Sequence, residues 1–142
     1  MITATEIGIR RQHARYEHHV ERGTGRTTRH LQECACRLST GHSTIFVCAT
    51  WREVDYAMAI CADVVGLRVL RTVHAATLPD AQPWPTLIRF TSLDADPHML
   101  RSIQAPLEFD HHAALALFDL PLHKLNQWHE LEYLQERFRY AR

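Results

Sequence analysis

Apolar positions recur along the chain with two periods, and the switches between them mark out the elements. Leu31, Cys34, Ala35 and Leu38 are spaced by three and four, which places them on one face of a helix, and Gly41 follows at a C′ position. Residues 43–49 then form a short continuous apolar run rich in β-branched side chains, as expected of a strand buried on both faces. Thr50-Trp51-Arg52-Glu53 reads as a capping box. It opens a second amphipathic helix through Trp51, Val54, Met58, Cys61 and Val65, stopped by Gly66. Residues 67–73 read as a strand, 75–85 as a proline-punctuated loop, and 86–91 as a further strand. Asp96 caps a short helix whose first residue is Pro97, a position where a missing amide proton is harmless. Residues 106–110 make a short strand. From Pro121 onward Leu122, Leu125, Trp128, Leu131, Leu134 and Phe138 form one helical stripe, with Glu130, Glu132, Glu136, Arg137 and Arg139 outside it.

The first twenty residues are the least patterned. Thr5-Glu6 opens a helix through Ile7, Ile9 and Tyr16 with Arg10, Arg11, Arg15 and Glu17 outside, while Tyr16-Glu17-His18-His19-Val20 is too polar for a good buried strand. Alternation of strands and helices predicts a three-layer α/β sandwich with a mainly parallel sheet, its first strand short or missing. In that arrangement the helix beginning near Thr27 lies beside strand 44–49, and Phe46 and Val47 are buried on opposite faces. Ligands of such sheets sit at the carboxyl ends of the strands.

Composition narrows the function classes. A chain of 142 residues with 46% hydrophobic and 23% charged content reads as one folded domain with its own core. The formal net charge is zero, so no global field draws nucleic acid or an anionic membrane. The eleven histidines make that charge responsive between about pH 5 and 8. Cys34, Cys36, Cys48 and Cys61 all fall in apolar patterns and read as buried free thiols of a reducing compartment. No apolar run approaches the roughly 18 residues of a membrane span, and no signal peptide is visible, so a cytoplasmic protein is expected.

One stretch carries candidate chemistry: Val20-Glu21-Arg22-Gly23-Thr24-Gly25-Arg26-Thr27-Thr28. Closely spaced glycines turn the backbone tightly and leave no Cβ between amide groups and an incoming anion. A helix follows directly, and its N-terminal amides and dipole favour negative charge. The stretch resembles a P-loop, G-x-x-x-x-G-K-[ST], and in particular the Gly-Thr-Gly-Arg-Thr-Thr-Arg run of small phage-encoded P-loop proteins. Gly25-Arg26-Thr27 occupies the G-K-[ST] end, with Val20 at the first glycine and Arg26 at the lysine. Lys124 is the only lysine in the chain, so arginine in that place follows the general usage of this sequence. The resemblance implies a P-loop NTPase-like fold, a nucleoside triphosphate such as ATP held by Gly23, Thr24, Gly25, Arg26, Thr27 and Thr28, and magnesium at Thr27.

Over roughly residues 20–113 the order of elements is similar to the N-terminal part of the ATPase core of phage terminase large subunits and related helicases. In that family an apolar strand ends in a metal-holding aspartate followed by a catalytic glutamate. Asp110 matches the aspartate, and His111 stands at the glutamate. The resemblance therefore implies a catalytic set of Arg26, Asp110 and His111 and a metal pair of Thr27 and Asp110. Hydrolysis would be compromised, because phosphoryl transfer depends on positioning the attacking water. The bland alternative for Asp110 is a cap on the segment that begins at Ala113. Asp110-His111-His112 also spells the signature of manganese-binding DHH phosphoesterases, with Asp94-Ala95-Asp96 echoing their D-x-D element. That likeness fails on layout, since the two elements lie far apart in that family and only fourteen positions separate Asp96 from Asp110 here.

The remaining histidines, such as His18, His19, His123 and His129, read as surface residues. Arg10, Arg11, Arg15, Arg22 and Arg29 make the N-terminal part locally basic, which suits a nucleic-acid backbone, but no aromatics interleave with them and a solvated face is the reading adopted. The expectation is nucleotide binding with slow or absent hydrolysis and no membrane association. The alternative is a non-enzymatic interaction protein on a P-loop-like scaffold, with a protein or nucleic-acid partner.

Overall fold

The computed structural model describes residues 3–20, 25–80 and 86–139, with side chains of the first span as far as residue 12. Five strands form one sheet in the order β2-β3-β4-β1-β5: β1 (Thr44–Cys48), β2 (Arg68–Leu70), β3 (Ala75–Thr77), β4 (Ile88–Ser92) and β5 (Leu107–Phe109). β1 pairs in parallel with β4 on one side and with β5 on the other, whereas β3 runs antiparallel to both β4 and β2. The sheet is therefore mixed, with β3 the reversed strand. β3 was expected to be loop. Its Ala75-Ala76-Thr77 lacks the bulky β-branched signature, yet all three residues are fully buried, where small side chains suit a crowded face. The strand expected over 67–73 stops at Leu70. A 3₁₀ turn, Arg71–Val73, and His74 in the left-handed region (φ 50°) reverse the chain into β3.

Helices cover both faces. α2 (Arg26–Ser39) and α3 (Trp51–Ile60) lie on one. There Leu31, Cys34 and Leu38 meet Phe46, Cys48, Val54, Met58, Cys61, Ile88 and Phe90. α1 (Ala4–Val20), α4 (His111–Ala116) and α5 (Leu122–Gln135) lie on the other, around Ile45, Val47, Leu107, Ala113, Leu117, Leu125, Trp128 and Leu131, with Ile7 packed against them. Phe46 and Val47 thus point to opposite faces, as a strand of period two requires, and the layers form an α/β/α sandwich. The span before the glycine stretch is α1, so among the described residues no strand leads into it.

Local signals decide the boundaries. The Glu53 amide donates to Thr50 Oγ1 at 3.2 Å, and the Glu53 carboxylate reaches back to the Ala49 amide at 3.2 Å, one residue earlier than in the usual box. α3 runs on as one π-helical turn, Cys61–Val65, closed by Gly66 at φ 84°. Asp96 caps the 3₁₀ turn Pro97–Leu100 through a 3.0 Å bond from the His98 amide. α1 is capped by Thr3 rather than Thr5, the Glu6 amide donating to Thr3 Oγ1 at 3.1 Å.

Several side chains depart from the expected stripes. Ile9, Trp51 and Leu122 are exposed, and Trp51 rests against the His74 ring at 5.1 Å. Arg11 does not lie outside: it donates to the Phe118 carbonyl at 2.7 Å and its guanidinium sits 5.9 Å from the Phe118 ring centre. His129, expected at the surface, is half-buried, 3.3 Å from Arg10 and 3.4 Å from Glu132. Two members of the basic N-terminal group are thus occupied within the fold. No helix among the described residues is long and apolar enough to cross a membrane.

Cys34, Cys48 and Cys61 are buried and free, but Cys36 is exposed. Neighbours two apart on a helix point to different sides, so packing Cys34 on the sheet turns Cys36 outward. Burial pushes the Cys34 thiol up to about 11 and Cys61 to about 12, and raises Cys48 further still. A maleimide at neutral pH should accordingly label Cys36 in the native protein and the other three only on unfolding. Intact mass against time checks this, and native labelling of Cys34 would contradict the packing of α2.

Candidate functional site

The buried stripe of α2 fixes what its first turn can reach. Thr27 stands four residues before Leu31 on the same face, so docking Leu31, Cys34 and Leu38 aims the Thr27 side chain at the end of the sheet where β1 and β5 finish. Gly25 precedes the helix in the left-handed conformation (φ 73°, ψ 32°), which a glycine adopts without strain. The first helical bond runs from the Arg29 amide to the Gly25 carbonyl at 3.0 Å, and Gly25 at the N-cap has no side chain to cap it. The amides of Arg26, Thr27 and Thr28 precede that first helical bond, and the first turn carries no acidic residue. α2 begins at Arg26, one residue before the expected Thr27. Gly23 and Thr24 lie outside the described residues.

β5 delivers the second half. The Asp110 amide donates to the Val47 carbonyl at 2.9 Å, which extends the parallel pairing with β1 by one residue, and its carbonyl accepts from Ala114 at 2.8 Å to start α4. Asp110 holds the N-cap position of α4, but its side chain makes no cap bond. Its buried carboxylate instead accepts from the Thr27 hydroxyl at 2.9 Å, across 83 positions of sequence. His111 Nδ1 lies 3.3 Å from Thr27 Oγ1 and 3.3 Å from Asp110 Oδ1. The His112 ring packs on the His111 ring with centres 4.0 Å apart. Asp110, His111 and His112 are the described residues that bring three ligand atoms within 4.8 Å of one another. Thr27 thus meets Asp110 and His111, which lie 83 and 84 positions further along the chain.

Arg26 and Arg29, with His30 and Glu33, line an open depression of about 400 Å³ on the flank of α2. Thr28 is half-buried in the first turn of that helix. Asp94 and Asp96 are exposed, and Asp96 is engaged as a cap, so the D-x-D element takes no part in this cluster.

A neighbouring group was missed by sequence reading. Glu108 lies in β5 opposite Phe46 of β1, on the face under α2. Its carboxylate is 3.1 Å from His30 Nε2 and 3.2 Å from Arg37, both of α2, and it accepts from Arg139, which continues the chain beyond α5. Arg139 also binds Glu136 and donates to the Leu107 carbonyl at 3.3 Å. Burial alone would raise the Glu108 carboxyl. Hydrogen bonds from His30 and Arg139 and the charges of Arg139 and Arg37 outweigh it and hold the group at about 2. α2 is consequently pinned twice to β5 and its end, by Thr27 on Asp110 and by His30 and Arg37 on Glu108. The one available signal was a carboxylate at the middle of an otherwise apolar strand.

No protein-family model matches this chain, and no curated protein or solved structure matches it either.

Proposed function

We propose that this chain binds a nucleoside triphosphate such as ATP, or a phosphate group of one, together with a divalent ion at the N-terminus of α2, with slow or absent hydrolysis. The observation that carries the reading is the Thr27–Asp110 contact at 2.9 Å. It sets a hydroxyl and a carboxylate, the pair that a magnesium ion would use, beside the first-turn amides of a helix, where the dipole favours negative charge. Arg26 and Arg29 flank the opening and supply the charge that phosphate oxygens need. The likeness of Gly23 to Arg29 to small phage-encoded P-loop proteins supports the same reading by analogy. Slow turnover follows from His111 in the place of a water-orienting glutamate. A non-enzymatic interaction protein on this scaffold is the competing reading, favoured by α1 standing where a P-loop fold has a strand.

Calorimetry with ATP and magnesium tests the proposal. Weak to moderate binding is expected. Arg26→Ala should remove a charge-assisted pair and lower affinity by about one to two decades, or roughly 1.5–3 kcal/mol. Asp110→Asn should weaken binding with magnesium more than binding without it, and His111→Glu should raise turnover where the fold is kept. No heat at millimolar nucleotide, with variants folded and indistinguishable from wild type, would leave the interaction protein.

A further inference from the structure

We infer that the ion held at Asp110 is a first-row transition dication bound in part through imidazole, in preference to magnesium. The inference deepens the reading of Asp110 as an ion-holding carboxylate and does not depend on a nucleotide being bound. Thr27 Oγ1, Asp110 Oδ1 and His111 Nδ1 form a triangle with edges of 2.9, 3.3 and 3.3 Å. Ligand atoms about 2.0–2.2 Å from a common ion, at angles between a right angle and the tetrahedral one, are separated by about 2.8–3.6 Å. All three edges fall in that window, so the triangle is the size of one face of a coordination polyhedron. The nearest ligand atom of His112 lies within 4.8 Å of those of Asp110 and His111, and His112 is exposed, which makes it the candidate for a fourth position on the solvent side.

The donor set selects the metal. Magnesium demands oxygen ligands in near-ideal octahedral geometry and keeps several waters, whereas one carboxylate with two imidazoles suits zinc, iron or cobalt. Asp110 is buried, and its side chain is already fixed by the Thr27 hydroxyl, so little ordering remains when an ion enters. The strand end and helix start that hold the cluster also set its order, since Asp110, His111 and His112 are consecutive and the turn from β5 into α4 gathers them on one side.

The test uses the full chain stripped of metal and titrated with Zn²⁺, Co²⁺ or Mg²⁺ alone, by calorimetry and, for cobalt, visible absorption. The expected result is one zinc per chain, binding at least roughly 100-fold tighter than magnesium, and cobalt bands that include nitrogen ligation. His111→Ala and His112→Ala should each weaken zinc by at least the roughly 10–100-fold that losing even an outer-shell partner costs. Replacing His18 and His19, or Cys36, should leave zinc binding unchanged. Zinc no tighter than magnesium would overturn the inference, as would zinc affinity untouched by the double His111→Ala, His112→Ala substitution. Because Asp110 supports the fold, His111→Gln serves as a second, milder variant, and its failure to weaken cobalt absorption in a folded protein would count equally against it. Nucleotide titrated in the presence of a chelator reports separately on the phosphate cradle, so either reading can fail alone.

Discussion

Glu108→Gln should cost about 3 kcal/mol of stability at pH 7 and remove most of the acid sensitivity between about pH 4.5 and 2. The carboxyl titrates at about 2 in the fold against an ordinary 4.5, and each unit of such a difference is worth about 1.4 kcal/mol. A depressed folded value means that the unfolded chain binds the proton first. The stabilisation is therefore complete above about 4.5 and drains away as pH falls toward 2. Its side chain is 19% exposed and its partners Arg37 and Arg139 are 32% and 22% exposed, so screening trims the effect without erasing it. The glutamine keeps the shape but leaves two guanidinium groups facing a neutral partner. Urea unfolding from pH 7 to pH 2.5 should show wild type and variant far apart at neutral pH and converging at the acid end. A gap that stays constant with pH would mean that shape, rather than charge, matters at this position.

The same group shows where sequence reading stopped. Runs of one period were legible: the apolar run 43–49 as a doubly buried strand, observed over Thr44–Cys48, the Thr50–Glu53 box, the Gly66 stop, and Leu125, Trp128 and Leu131 as a core stripe, because each depends on neighbours within a turn or two. β3 was not legible, since two alanines and a threonine carry no strand signature and only their burial between β2 and β4 makes them one. The antiparallel pairings followed from a turn whose key residue, His74, is a non-glycine in the left-handed region. Trp51, Ile9 and Leu122 fit helical stripes by spacing but sit at the first or second turn of their helices, past the edge of the core they were assigned to.

The site divides in the same way. Thr27 and Asp110 were chosen by likeness to a motif and a strand end, and the fold sets them 2.9 Å apart. That pairing rests on long-range packing of α2 against β1 and β5, which no local pattern encodes. Cys36 was expected to be buried because it falls inside an apolar helical run, yet helix geometry sends Cys34 and Cys36 to different sides. Arg139 was placed outside its helical stripe, and only the convergence of His30, Arg37 and Arg139 on Glu108 gives these three a role.

Phe46→Ala should have the largest effect on the fold, a loss of about 3–5 kcal/mol, and should loosen the helix that carries the site. Phe46 is fully buried in β1, with the His30 ring edge-on at 5.0 Å and Phe90 at 5.8 Å, in the same cluster as Leu31, Cys34 and Leu38. Truncation leaves a cavity under the middle of α2, and the aromatic contacts it removes are worth more than area alone. His30 would then lose the surface that holds it against Glu108. Phe46→Leu, which retains most of the volume, should cost far less, about 1 kcal/mol. Urea unfolding measures both variants. Hydrogen exchange adds the local readout: amides of Leu31 to Leu38 should exchange faster in Phe46→Ala relative to those of α5, which pack on the opposite face of the sheet. The metal affinity proposed for Asp110 should fall in the same variant even at temperatures where it stays folded, because Thr27 is held there by α2. A loss under about 1 kcal/mol for the alanine, or uniform acceleration of exchange in α2 and α5 alike, would show that Phe46 is not what seats the site-bearing helix.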